Sequence, residues 1–215
     1  MSSIPIAVFA SGRGTNFEAI LKATQNQKLN AKIVALVCDK KGAPVLAKAK
    51  AAGIPVLEIV PTKETTREQH DQNVLEALKP YSPKFLVMTG YMRIVTSKLL
   101  EAFRSPRKYT RVVNVHPSLL PAFPGVAGYA QAFAHGNKVA GVTVHLVEQE
   151  VDSGPICAQE AFSIADCKTA EEVEKRGLEV EHRLFAETLK WVLPEKFEVE
   201  ERELKSHRRF CVRQS

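Results

Sequence analysis

The sequence predicts a doubly wound α/β fold of the Rossmann-like type: a mostly parallel sheet with helices on both faces, an antiparallel C-terminal extension of that sheet, and one long C-terminal helix. Three observations carry this. Five short apolar runs alternate with helix-like stretches through the first 115 residues, and short runs without polar alternation suit strands buried on both faces. After Val115 the alternation stops, and two further runs are joined by turn residues instead of a helix. A single stretch of helical periodicity then occupies residues 169–192.

In order, residues 6–10, 33–37, 55–59, 85–88 and 112–115 are the strands of the first half. Residues 16–23, 43–52, 67–79 and 97–103 lie between them, rich in Ala, Leu, Glu and Lys with apolar positions at helical spacing, and are its helices. In such sheets ligands collect beyond the carboxyl ends of the strands, so the residues following each run are the candidates for chemistry. Residues 142–147 and 156–162 are two more strands, joined by Glu150-Val151-Asp152-Ser153-Gly154-Pro155. The 169–192 helix offers Val173, Leu178, Val180, Leu184, Phe185 and Leu189 for an apolar face. No internal repeat or long Pro/Gly/Ser-rich linker interrupts the chain, so 1–215 is expected to be a single domain. Its parts are a parallel half (1–115), a loop and C-terminal half (116–195) and a basic tail (196–215).

The 215 residues are 45% hydrophobic and 25% charged, with 11 Gly and 12 Pro, which excludes collagen-like, low-complexity and largely disordered classes. The apolar stretch 4–10 stops at Ser11, far short of the roughly 18 residues of a membrane span. A soluble, cytoplasmic protein with no membrane partner is expected. Cys38, Cys157, Cys167 and Cys211 form no C-x-x-C pair and have no His at ligand spacing, so reduced thiols are expected, with no zinc site and no disulfide framework. The net charge of +6 favours anionic partners. Part of it sits in Lys205-Ser206-His207-Arg208-Arg209 and Arg213, which lack interleaved aromatics and are expected to be a solvated tail with no nucleic-acid role.

Two patterns and one turn acid can carry chemistry. Ser11-Gly12-Arg13-Gly14-Thr15-Asn16 joins the first strand to the first helix. Glycines let the backbone approach a ligand, and the N–H groups of the following helix point at it, so a phosphate fits there. Phe17 replaces the third small residue of a dinucleotide loop and no Gly-Lys-Ser/Thr is present, which leaves a monophosphate as the best guest. Asp39, after the second strand, occupies the place of a ribose-binding acid and keeps the dinucleotide alternative open. The second pattern is Asn114-Val115-His116-Pro117-Ser118-Leu119-Leu120-Pro121. Residues two apart on a strand share a face, so Asn114 and His116 project together. An amide donor beside an imidazole is the minimum equipment for acyl transfer through an oxyanion; a structural histidine is the equal alternative on spacing alone. Asp152 is by statistics a turn former, His145 a packed strand residue, and Glu181-His182 a polar helix pair. No nucleophile elbow is present, so no covalent acyl-enzyme is indicated.

Together with Gly90-Tyr91-Met92-Arg93-Ile94 and Val151-Asp152-Ser153-Gly154-Pro155, these motifs resemble, in the same order, those of the phosphoribosylglycinamide formyltransferases, folate-dependent enzymes of purine biosynthesis. The resemblance runs from Ile6 to about Val192. It implies transfer of a formyl group from the cosubstrate 10-formyltetrahydrofolate to the amino group of glycinamide ribonucleotide, with no metal. It implies that Gly14, Thr15 and Asn16 hold the ribonucleotide phosphate and that Glu181 contacts the same substrate. Met92, Arg93, Ile94 and Val95 would line the pterin pocket, with Asn114 also at the folate and Arg67 in the folate site. Asn114, His116 and Asp152 would be catalytic: Asp152 would raise the pKa of His116, and Asn114 with protonated His116 would stabilise the oxyanion while the amine attacks directly. The protein would act as a monomer or homodimer.

The sequence departs from the family pattern at Ala127, where many members carry a polar residue such as His, and at residues 104–110, which read as a surface insertion. The tail lies outside the resemblance. The alternatives are a formyltetrahydrofolate hydrolase and a non-catalytic nucleotide or folate binder. A methionyl-tRNA formyltransferase would need a further C-terminal domain, and a deformylase usually carries an N-terminal one.

Overall fold

The structure is a computed structural model that describes residues 2–204 and 207–214. It divides into two compact units, Met1–Val113 and Asn114–Ser215. The first contains β1 (Ile4–Phe9), α1 (Thr15–Gln25), β2 (Ala31–Cys38), α2 (Pro44–Ala51), β3 (Val56–Glu58), α3 (Arg67–Leu78), β4 (Phe85–Met88) and α4 (Ser97–Ala102). Its strands run in the order β3-β2-β1-β4, all parallel. The central strand β1 is paired on both sides, and Ile6, Ala7, Val8 and Phe9 are fully buried, which accounts for a run with no polar alternation. Phe17 and Ile20 of α1 are buried one turn apart. Helix α3 starts from a capping box in which Thr66 and Gln69 satisfy each other's backbone N–H groups.

Pairing continues past the carboxyl ends of β1 and β4. Thr89 N–H donates to Phe9 O at 2.8 Å and Ser11 N–H to Gly90 O at 3.2 Å, so the loops after the two strands lie side by side, as the topological rule for parallel sheets requires.

The strand β5 (Val112–His116) starts at the boundary of the units. The second unit continues with α5 (Gly128–Ala134), β6 (Val139–Leu146), β7 (Ile156–Ser163), α6 (Ala170–Val192), β8 (Phe197–Leu204) and β9 (His207–Gln214). The strand order is β5-β6-β7-β9-β8, with β6 and β7 antiparallel, β9 parallel to β7, and β8 antiparallel to β9. The mixed sheet, mostly parallel with antiparallel strands toward its C-terminal end, and the long helix agree with the fold class read from the sequence.

One local expectation needs correction, and two details add to the reading. Residues 197–204 and 207–214 are not a solvated tail, since β8 and β9 form a hairpin added to the sheet; Lys205 and Ser206 of the basic cluster lie outside the described residues. The hairpin's acidic strand faces a basic one, with Glu198 opposite Arg213 and Arg213 Nη2 3.1 Å from Glu200 Oε2, so charges that read as a tail are cross-strand partners. Helix α5, seven residues long, buries Gly128, Tyr129 and Ala132 and is too short to announce itself in the sequence. Residues 104–110 form a tight excursion closed by an Arg104–Thr110 bridge, and it buries Tyr109.

Candidate active site

Strand alternation places Asn114 and His116 on one face of β5, and the turn after β6 brings Asp152 to them. That turn is set by Gly154, where an added Cβ would stand 1.9 Å from Leu146 O; only glycine lets the loop fold back so closely on β6. Asp152 itself takes φ 53°, a left-handed conformation that Asp tolerates better than most residues. His116 Nδ1 then lies 3.3 Å from Asp152 Oδ2, both side chains being under a tenth exposed. On the other side of the ring, His116 Nε2 donates to Phe123 O at 2.8 Å. The same Asp152 oxygen accepts from Gly125 N–H at 2.7 Å.

These contacts set the charges. Burial pushes the Asp152 carboxyl up, but the His145 contact, the Gly125 hydrogen bond and the attraction of His116 together hold it below the ordinary carboxylate value. For His116, burial dominates and holds the pKa below the usual imidazole value, against an upward pull from the Phe123 hydrogen bond and from Asp152. Asp152 therefore acts in the direction the sequence suggests, but burial outweighs it. Both ring nitrogens nevertheless face acceptors, Nε2 at Phe123 O and Nδ1 at Asp152, so a proton gained at Nδ1 meets the Asp152 carboxylate at once.

A fourth residue joins the cluster, and sequence reasoning passed over it. His145, 1% exposed, donates from Nδ1 to Leu146 O at 2.9 Å, which leaves Nε2 as the acceptor that Asn114 Nδ2 meets at 3.2 Å. Its Nε2 is 3.6 Å from Asp152 Oδ1. Thr143, two residues earlier on the same face of β6, accepts from Leu120 N–H at 3.0 Å and donates to Ser118 O at 2.7 Å, while Gln159 donates to Leu120 O and to Thr143 Oγ1, each at 2.9 Å. Ser118 donates to Ala122 O at 2.5 Å. The loop that delivers Phe123 O to His116 is thus held at four points. The available signal was Thr143 and His145 alternating with Val142, Val144 and Leu146: polar side chains on a buried strand must find partners.

In the first unit, Gly14 is the N-cap of α1 at φ 74° and ψ 34°, and a Cβ there would lie 2.4 Å from Val45 Cγ2, so glycine is required by both conformation and space. Thr15 and Asn16 form the first turn, whose N–H groups are the anion-binding end of a helix. Ser11 links this loop to the 90–95 segment: its hydroxyl accepts from Met92 N–H at 2.9 Å and donates to Asp39 at 2.5 Å. Asp39, the dinucleotide alternative, is thereby engaged by its own chain. In the 92–95 segment, Met92 and Ile94 are exposed, Arg93 is half-buried and Val95 is buried. Thr96 N–H donates to Asp71 Oδ2 at 2.6 Å, and Arg67 opens the same helix as Asp71. Glu181, on α6 of the second unit, is buried and accepts from Tyr129 OH.

The formyl transferase family model matches residues 4–189, a span that includes every residue described above as a candidate. The chain belongs to the formyl transferase family. As a formyl transferase it is 40% identical to the phosphoribosylglycinamide formyltransferase of Bacillus subtilis over 187 residues, 87% of this chain and 93% of that one. The crystal structure of glycinamide ribonucleotide transformylase 1 from Symbiobacterium toebii matches this formyl transferase with a TM-score of 0.89 and 36% identity, over 99% of this chain and 94% of that one. A formyltetrahydrofolate deformylase from Pseudomonas syringae shares the fold at a TM-score of 0.82 but is only 23% identical, over 92% of this chain and 64% of that one.

Proposed function

We propose that this formyl transferase moves the formyl group of 10-formyltetrahydrofolate to the amino group of glycinamide ribonucleotide, giving N-formylglycinamide ribonucleotide and tetrahydrofolate in de novo purine biosynthesis. The observation that carries the reading is the convergence of Asn114, His116 and Asp152 within hydrogen-bonding reach of one another's partners, in a chain similar to a phosphoribosylglycinamide formyltransferase along nearly its whole length.

The amine attacks the formyl carbon, and the carbonyl oxygen becomes an oxyanion. Asn114 supplies an N–H to it, and His116, once protonated, supplies positive charge beside it. Burial disfavours the charged form of His116, while the negative charge of Asp152 and of the growing oxyanion favours its protonation as the tetrahedral species forms. One proton leaves the attacking nitrogen and one must reach N10 of the folate; Asp152 and His116 are the groups placed to relay it. Holding both reactants together contributes up to roughly 7–11 kcal/mol of the barrier reduction in favourable cases. Gly14, Thr15 and Asn16 hold the phosphate, Glu181 contacts the ribonucleotide, and Arg67, Met92, Arg93, Ile94, Val95 and Asn114 receive the folate. The same reading places the enzyme in the cytoplasm, which suits four unpaired thiols, as a monomer or homodimer that sizing in solution distinguishes.

A second reading, hydrolysis of the formyl-folate by water on the same three residues, is favoured by the shared fold of the deformylase. A spectrophotometric assay of folate deformylation with and without glycinamide ribonucleotide separates the two. Turnover that requires the ribonucleotide supports transfer; equal turnover in its absence means a hydrolase.

A further inference from the structure

The long helix α6 buries an unusual pair. Its buried face passes through Gly177 and Glu181, while Leu178 and Val180, apolar and available, are only partly covered. Glycine is a poor helix former, and a buried carboxylate is costly without a partner. Tyr129 accounts for both. A Cβ on Gly177 would stand 2.2 Å from Tyr129 Cζ and 2.5 Å from its hydroxyl oxygen, so the phenol ring fits only against a bare turn of helix. From that notch the hydroxyl donates to Glu181 Oε1 at 2.6 Å, and the ring meets Phe162 edge-on with centroids 6.0 Å apart. Tyr129 and Glu181 are each 6% exposed. Burial first, and the Glu181 charge second, push the phenol pKa far up, so the hydroxyl stays a donor at every working pH.

We infer that Tyr129 is a positioning residue for the ribonucleotide substrate: seated in the Gly177 notch, it fixes the Glu181 carboxylate in the orientation that receives glycinamide ribonucleotide. The inference rests on the proposed role of Glu181 as a substrate contact. A Tyr–Glu pair that served only to fill the helix interface would affect thermal stability and nothing else.

Tyr129→Phe keeps the ring, the notch and the Phe162 contact and removes one donor. Steady-state kinetics with glycinamide ribonucleotide and 10-formyltetrahydrofolate are the test. Tyr129→Phe is expected to raise KM for the ribonucleotide about tenfold, with kcat and the folate KM within about twofold, the pattern of lost substrate binding. Glu181→Gln is expected to raise the same KM at least as much, and Tyr129→Phe added to it to do nothing further. Glu181→Gln raising the ribonucleotide KM while Tyr129→Phe leaves it unchanged overturns the inference. An unchanged KM in Glu181→Gln overturns instead the role of Glu181 beneath it. Should Tyr129→Phe alone not fold, the double variant leaves no carboxylate without its donor: a KM equal to that of Glu181→Gln upholds the inference, and a further rise overturns it.

Discussion

Replacing Asp152 by Asn removes one charge and little else. The Asn side-chain oxygen can still accept from Gly125 N–H, so the turn keeps its anchor, but the imidazolium of His116 loses its counter-charge. At the 3.3 Å separation of His116 Nδ1 and Asp152 Oδ2, and an effective dielectric of about 20, the attraction between the two charges is about 5 kcal/mol. If the histidine gains its proton as the tetrahedral species forms, nearly all of that acts in the transition state, and RT-scale conversion makes it three to four decades in rate, roughly 10³ to 10⁴. Because burial disfavours the charged form of His116 before the reaction, ground-state binding changes little, so kcat should fall by that factor with both KM values within about fivefold. Steady-state kinetics with each substrate varied in turn, on protein shown by circular dichroism and thermal melting to be folded, is the assay. A kcat within tenfold of the parent would refute the charge-coupling argument, and a loss confined to KM would make Asp152 a binding residue.

Further outcomes follow from the same geometry. His145→Ala takes away the acceptor that orients Asn114, and since a misplaced donor costs on the order of a hundredfold, kcat should drop by one to two decades with KM values nearly unchanged; an unaffected kcat would return His145 to a packing role. Gly14→Ala forces a Cβ into a left-handed turn and against Val45, costing about 2–4 kcal/mol in urea unfolding. Gly12→Ala, whose Cβ meets nothing within 4 Å, should change stability by no more than about 0.5 kcal/mol; equal losses in the two would contradict the account. Burial depresses the pKa of His70 and of His116 below the ordinary 6.5, so the unfolded chain binds more protons in the window beneath that value. Stability should therefore be flat above about pH 6.5 and fall as pH drops through it, well before the depressed Asp152 matters; a melting temperature that rises from pH 7.5 to 5.5 would reverse the sign.

What the sequence made legible is what local pattern encodes. Continuous apolar runs identify strands paired on both sides, and two residues spaced two apart on a strand share a face wherever the strand lies, so Asn114 and His116 were readable as a pair. Asp152 stood out only as a turn acid, read by statistics as a turn former, because its place beside His116 depends on Gly154 folding a loop against Leu146, a tertiary contact with no local signature beyond a turn. His145 was hidden for a related reason: in a strand of buried residues, a histidine reads as packing until its neighbours are known. The α6 face was misread because periodicity counts Leu178 and Val180 as core and has no means of anticipating that a tyrosine from α5 claims the Gly177 side. The β8–β9 strand pair was missed since acidic and basic runs announce a strand pair only once their register sets one opposite the other. The direction of the His116 pKa depends on burial winning over a neighbouring charge, and burial is not written in the residues themselves.

The central claim is that the formyl group ends on the ribonucleotide amine, delivered by the cluster around His116. Single turnover with an isotopically labelled formyl group on tetrahydrofolate, quenched and followed by mass spectrometry, tests it most directly. The account predicts that the label appears on glycinamide ribonucleotide at the rate at which tetrahydrofolate forms, and that His116→Ala slows both together. Label released as free formate while the ribonucleotide stays unmodified would contradict it.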